Sequence, residues 1–167
     1  MKENEYRIMR AQPGEAEEIY ALYHSLIGLP YSTWDEEYPS REIVQEDVTQ
    51  HAVLTMREGN GRLISAIALR NEFEFGDAAA WYPDVSRWAM LTRLGVAADM
   101  QRRGIARLMM AAAMREAKDM GCEAVQFLVA KSNPIAQRAY APLGFDICGE
   151  AELWEPGEVW LCYQKRL

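Results

Sequence analysis

Histidine is nearly missing from this sequence. Its two, His24 and His51, stand far apart with no ligand pattern beside them, so no metal site is expected. Cysteine is scarce as well. Cys122, Cys148 and Cys162 are odd in number, widely spaced and without a CxxC pair. That excludes a disulfide framework and points to reduced thiols. No apolar run approaches the ~20 residues that cross a bilayer, and the opening Met-Lys-Glu-Asn-Glu is no secretory leader. The expected compartment is the cytoplasm, with no membrane partner. Positive charge is short: 18 Lys and Arg face 25 Asp and Glu, for a net charge of -7. An acidic surface repels phosphate backbones, so no nucleic-acid partner is expected. Repeats, low-complexity tracts and linkers are also lacking.

What is present is a globular composition. Half of the 167 residues are hydrophobic, enough for a substantial core in one domain spanning 1–167. Against the acidic background one basic turn stands out. Leu91 to Met110 reads as a strand, a short turn carrying Arg102, Arg103 and Gly104, then a helix with Arg107 in its first turn. Basic residues there oppose the helix dipole, so a purely structural account explains them poorly. A bound anion explains them better, because the first N–H groups of a helix lack intrahelical partners and Gly104 lets a ligand approach the backbone. The helix is expected to bury Ile105, Leu108, Met109, Ala112, Ala117 and Met120, which recur at three and four residues with Glu116 among them. Gly121 ends it.

Either side of this stretch, local signals predict the remaining elements. Tyr6 to Arg10 reads as a strand and Glu15 to Leu26 as a helix closed by Gly28 and Pro30. Residues 31–39 form a loop rich in aromatics and acids. Ser40 is a plausible N-cap for a helix from Arg41 to about Val48. The turn Glu58-Gly59-Asn60-Gly61 joins two strands, His51 to Arg57 and Arg62 to Arg70, in an antiparallel hairpin. Asn71 to Val85 is irregular, and Ser86 to Val96 is the next strand. Ala124 to Ala130 reads as a buried strand, parallel to the previous one because a helix connects them. Asn133 caps a short helix with Pro134 in its first position. Leu143-Gly144-Phe145 leads into another strand, and Pro156-Gly157 turns it into a last strand, Glu158 to Lys165.

Two motifs together point to a family. Gln101-Arg102-Arg103-Gly104-Ile105-Ala106 resembles the Gln/Arg-x-x-Gly-x-Gly/Ala turn of the GCN5-related N-acetyltransferases. Downstream, Asn133, Ala136, Tyr140, Gly144 and Phe145 resemble that superfamily's Asn-x-x-Ala-x-x-x-Tyr-x-x-x-Gly-Phe pattern. Ala98 and Arg102 stand where a proline and a glycine are common, and neither removes a backbone amide. The resemblance implies the acyl-CoA N-acyltransferase fold: a mixed, mostly antiparallel sheet whose central parallel strands splay, flanked by helices. It implies acetyl-CoA as donor co-substrate. Gln101, Arg102, Arg103, Gly104, Ile105 and Ala106 would hold its pyrophosphate, and Leu94, Gly95 and Val96 would pair with the pantetheine amides. Asn133 is carried over as a further donor-binding residue.

The resemblance further implies acyl transfer to a primary amine of a small molecule or peptide, by direct attack in a ternary complex. Such a transfer uses a base, an oxyanion donor and an acid. Tyr140 would be the acid, the alternative being a tyrosine packed in the core. The Val96 N–H would be the oxyanion donor. The strand before the turn carries no carboxylate, so the base is open. Glu72 and Glu74 are the nearest candidates by topology. Asp35, Glu36, Glu37 and His24 are others, and a water chain or a neutral amine would need none. The acceptor is expected against Trp34, Asp35, Glu36, Tyr38, Phe73 and Trp81, where acids beside aromatics suit a cationic amine. A solvated loop with tucked aromatics is the bland alternative. A non-catalytic acyl-CoA-binding regulatory module and a purely structural domain are the competing functions. A homodimer could form through residues 73–88 or the last strand.

Overall fold

The computed structural model describes residues 5–71 and 79–167. Its strands are β1 (Tyr6–Arg10), β2 (Val53–Glu58), β3 (Leu63–Arg70), β4 (Trp88–Val96), β5 (Ala124–Ala130), β6 (Asp146–Glu152) and β7 (Val159–Arg166). Its helices are α1 (Ala16–Ser25), α2 (Arg41–Thr49), α3 (Ile105–Asp119) and α4 (Pro134–Tyr140). The strand order is β1-β2-β3-β4-β5-β7-β6. The β1–β2, β2–β3, β5–β7 and β6–β7 pairs are antiparallel, and β4 and β5 are parallel. This is the expected mixed, mostly antiparallel sheet flanked by helices.

The parallel register is short. It runs from Trp88↔Ala124 to Met90↔Gln126, whereas β4 continues to Val96 and β5 to Ala130. The last hairpin contributes β7, not β6, as the partner of β5, in register from Ala124↔Arg166 to Ala130↔Trp160.

Local chemistry explains the element ends. Ser40 Oγ accepts from the Ile43 N–H at 3.2 Å and starts α2. Asn133 Oδ1 accepts from the Ala136 N–H at 3.0 Å and starts α4, with Pro134 in the first turn. Each cap satisfies a donor the helix leaves orphaned. The strand expected from Ser86 begins instead at Trp88. The Ser86 and Arg87 N–H groups both donate to Glu123 Oε1 at 3.1 Å, which takes them out of any ladder. The face of α3 also differs from expectation. Ile105, Met109, Ala112 and Ala117 are buried, but Leu108 and Met120 are 41% and 48% exposed, and Met110 and Ala113 are buried in their place. The buried face follows a steady four-residue step through 105, 109, 113 and 117, which the mixed three-and-four spacing obscured.

The chain divides into two compact units. One holds the segments up to Ala68 and Arg93–Ala113; the other holds Leu69–Thr92 and Met114–Leu167. In the first, Arg57 clasps α1 to the β2–β3 hairpin. Its Nη2 donates to Glu15 Oε1 at 2.6 Å and Glu18 Oε2 at 2.7 Å, and its Nη1 to the Gly61 carbonyl at 2.8 Å. In the second, Phe127 stacks on Tyr163 across the β5–β7 register, with ring centroids 4.9 Å apart. Phe145 and Tyr140 meet the Phe127 ring edge-on at 4.6 and 5.3 Å. Residues 80–84 are strapped to β7. The Tyr82 N–H donates to Gln164 Oε1, Gln164 Nε2 donates to the Ala80 carbonyl, and Arg166 pairs with both Asp84 oxygens at 2.8 Å.

Candidate active site

Backbone polarity at the end of β4 is the centre of the site. The Gly95 carbonyl accepts from the buried Ser65 Oγ at 2.7 Å, and the Ala97 N–H donates to the Ile64 carbonyl at 2.9 Å. Both partners lie on β3. Successive residues of an extended strand turn their N–H and C=O groups to opposite edges. Leu94 and Val96 therefore aim theirs at the other edge. The Val96 carbonyl is taken by Gln101 Nε2 at 3.1 Å, which also anchors the start of the turn. By the same alternation the Val96 N–H belongs to the edge of β4 away from β3.

Gly95 is required here by packing. A Cβ at this position would lie 2.9 Å from Tyr23 Cδ1 and 3.1 Å from Leu26 Cδ1. Tyr23 cannot yield easily: its ring is buried and meets Trp34 edge-on at 5.0 Å. Gly95→Ala should cost about 1–3 kcal/mol of stability through overpacking. Urea unfolding checks this, and an unchanged midpoint would mean the ring swings away freely.

The turn after β4 presents backbone N–H groups. Arg102 has φ 63° and Gly104 φ 78°, two left-handed residues flanking Arg103. Such alternation turns successive N–H groups into one concavity suited to an anion. The space beside Gly104 is open, with no atom within 4 Å of where a Cβ would stand. The α3 ladder begins with the Leu108 N–H donating to the Gly104 carbonyl at 3.1 Å, so the N–H groups before it have no partner in the helix. Arg102, Arg103 and Arg107 are all exposed around this turn. Ile105 is buried and fixes the helix start.

Tyr140 closes α4, half-buried, with its ring against Phe127. Burial, with a smaller contribution from Tyr163, pushes its phenol up to about 12. Burial and the Asp146 carboxylate that accepts its hydrogen bond push Tyr82 up to about 12 as well. Burial raises Tyr23 further, and its buried hydroxyl has no hydrogen-bond partner among the described residues. All three are raised above the unfolded value of ~10, so the stability they contribute is present below pH ~10 and fades above it, for Tyr82 and Tyr140 by about 12. The melting temperature should fall steadily over that window in an alkaline thermal scan. Phenolate absorbance should lag behind that of the unfolded chain.

The other sequence-derived residues have varied placements. Asp35 Oδ1 accepts from the Glu37 and Tyr38 N–H groups at 2.8 and 2.9 Å, so its carboxylate builds its own turn. Glu36 pairs with His24 at 2.9 Å, and the Tyr38 hydroxyl accepts from Arg93 Nη1 at 3.1 Å. Trp81 sits half-buried on the strapped segment. Asn133 spends its side-chain oxygen on the α4 cap. Glu72, Phe73 and Glu74 lie outside the described residues. Sequence reasoning overlooked Ser65, Asp47 and Arg93. A charged residue inside an otherwise apolar strand was the available signal for Arg93.

Strand β4, a turn with two left-handed residues and helix α3 follow one another in this α/β protein. A family model for the acetyltransferase (GNAT) family matches residues 18–145, and the chain belongs to that family. No curated protein matches it by sequence. Solved structures share its fold. An acetyltransferase of the GNAT family from Streptococcus pneumoniae is 18% identical with a TM-score of 0.75, covering 98% of this chain and 100% of that one. One from Streptococcus agalactiae is 22% identical with a TM-score of 0.74, covering 97% and 95%. The ribosomal-protein-S18-alanine N-acetyltransferase from Escherichia coli is 16% identical with a TM-score of 0.73, covering 96% and 93%.

Proposed function

We propose that this chain is one N-acetyltransferase domain, 1–167, that moves an acetyl group from acetyl-CoA to a primary amine of a small molecule or peptide. The observation that carries this reading is the outward-facing edge of β4 leading into the turn at 101–104. The donor supplies the activated acetyl thioester. Gln101 to Ala106 hold its pyrophosphate through backbone N–H groups, with Arg102 and Arg103 adding charge. Leu94, Gly95 and Val96 receive the pantetheine arm, as a strand edge receives an added strand. Asn133 supports the donor with its remaining amide N–H groups.

The Val96 N–H stabilises the negative charge that develops on the acetyl oxygen. Tyr140, kept protonated by burial, gives its proton to the departing thiolate. Glu72 and Glu74 are the proposed bases that take the proton from the attacking amine. Trp34, Asp35, Glu36, Tyr38, Phe73 and Trp81 are the proposed acceptor residues, a set of acids and aromatics that suits a cationic amine. No described helix is long and apolar enough to cross a membrane.

The experiment is a panel of amines with acetyl-CoA, read by release of free thiol. Acetyl-CoA at ~100 times its Kd should add about 2.7 kcal/mol of stability. Protection without turnover on a broad panel would favour a non-catalytic acyl-CoA-binding module. Absence of any protection would rule out the donor assignment.

A further inference from the structure

β4 carries an arginine where an apolar residue would ordinarily pack. Arg93 has φ 51°, a left-handed conformation that side chains adopt in a strand only when their surroundings hold them there. Those surroundings are specific. Arg93 Nε donates to Asp47 Oδ2 and Nη2 to Asp47 Oδ1, both at 2.8 Å. Nη1 donates to the Tyr38 hydroxyl at 3.1 Å. Asp47 is 2% exposed, and the Arg93 side chain is nearly as enclosed. A planar fork gripping both carboxylate oxygens fixes distance and angle together, which a point charge cannot do. Burial makes the grip hard to exchange, since breaking it separates two charges away from water.

The residues that follow are those with directed backbone groups. Gly95 and Ala97 turn to β3, so Leu94 and Val96 face the other edge. The left-handed residue immediately before Leu94 sets the phase of that alternation. We propose that the Arg93–Asp47 pair, steadied by Tyr38, is a positioning device that holds Arg93 left-handed and so aims the Leu94 and Val96 N–H groups at the donor's pantetheine arm. Arg93 and Asp47 act through the backbone and touch no reacting atom. The inference rests on the acetyl-CoA reading above.

Asp47→Asn keeps the volume but presents an NH2 group to one arm of the guanidinium, and Arg93→Lys keeps the charge without the fork. Each full-length variant is titrated calorimetrically with acetyl-CoA and with the adenosine bisphosphate fragment of coenzyme A, which lacks the acyl arm. Amide NMR follows the Leu94 and Val96 signals. The acetyl-CoA Kd should rise about tenfold in both variants, with the Val96 shift on binding largely lost. The fragment Kd should change by less than about twofold. Equal weakening of both probes would mark a merely structural pair and overturn the proposal, as would an unchanged acetyl-CoA Kd with the Val96 shift intact. A wild-type protein that binds the fragment but shows no Val96 shift with acetyl-CoA also overturns it. Binding of neither probe overturns the donor reading itself.

Discussion

Tyr140→Phe should lower the rate of coenzyme A release by about 100- to 10,000-fold, the usual worth of a positioned general acid. The phenol is lifted to about 12, mainly by burial, so it stays protonated at working pH. Its ring rests on Phe127, a contact that phenylalanine keeps. The variant should therefore melt within a few degrees of the wild type. The acid role has its own signature. A thioester whose thiol is already acidic needs no proton on leaving, so the variant should approach the wild-type rate with such a donor. An unchanged rate with acetyl-CoA at every pH would show that Tyr140 is only a packed ring.

Phe127→Ala should cost about 3–5 kcal/mol, the range for deleting a buried aromatic side chain. Phe127 is 4% exposed and touches three other rings: Tyr163 stacked at 4.9 Å, Phe145 edge-on at 4.6 Å and Tyr140 edge-on at 5.3 Å. Those three come from β7, the residue just before β6 and the end of α4, so one side chain joins three parts of the fold. For a chain of this length the melting temperature should fall by roughly 6–20 °C. Turnover by the remaining folded protein should also fall, because Tyr140 loses the ring that seats it. Calorimetry decides the first point, and a loss under about 1 kcal/mol would mean the cluster closes over the gap.

Wherever the cause was local, the elements could be read from the chain. Ser40 and Asn133 cap helices because a short polar side chain reaches the N–H three residues on, and that reach is written in the sequence. The turn at 101–104 was legible because glycine and a basic run in an acidic protein are both unusual choices. The family followed from two such local motifs in order, and the match at residues 18–145 bears it out.

Roles that depend on distant partners were harder to read. Asp35 reads as an acceptor acid because it sits among aromatics, and the structure adds that its Oδ1 accepts from the Glu37 and Tyr38 N–H groups. Loop carboxylates answer equally well to the backbone and to a ligand, and composition does not separate the two. The buried face of α3 was misplaced because apolar residues occur around most of that helix. Which of them are covered depends on what packs there, not on the period alone.

By itself the sequence determined the order of the elements, their caps and the basic turn at 101–104, because these depend on residues a few positions apart. The tertiary structure alone decided that β7 pairs with β5, that Ser65 takes the Gly95 carbonyl, and that Asp47 in α2 clasps Arg93 in β4. Those contacts join residues 30 or more positions apart. Such pairs are selected by packing and by the cost of leaving a buried charge or carbonyl unmet, and no short-range pattern records that selection.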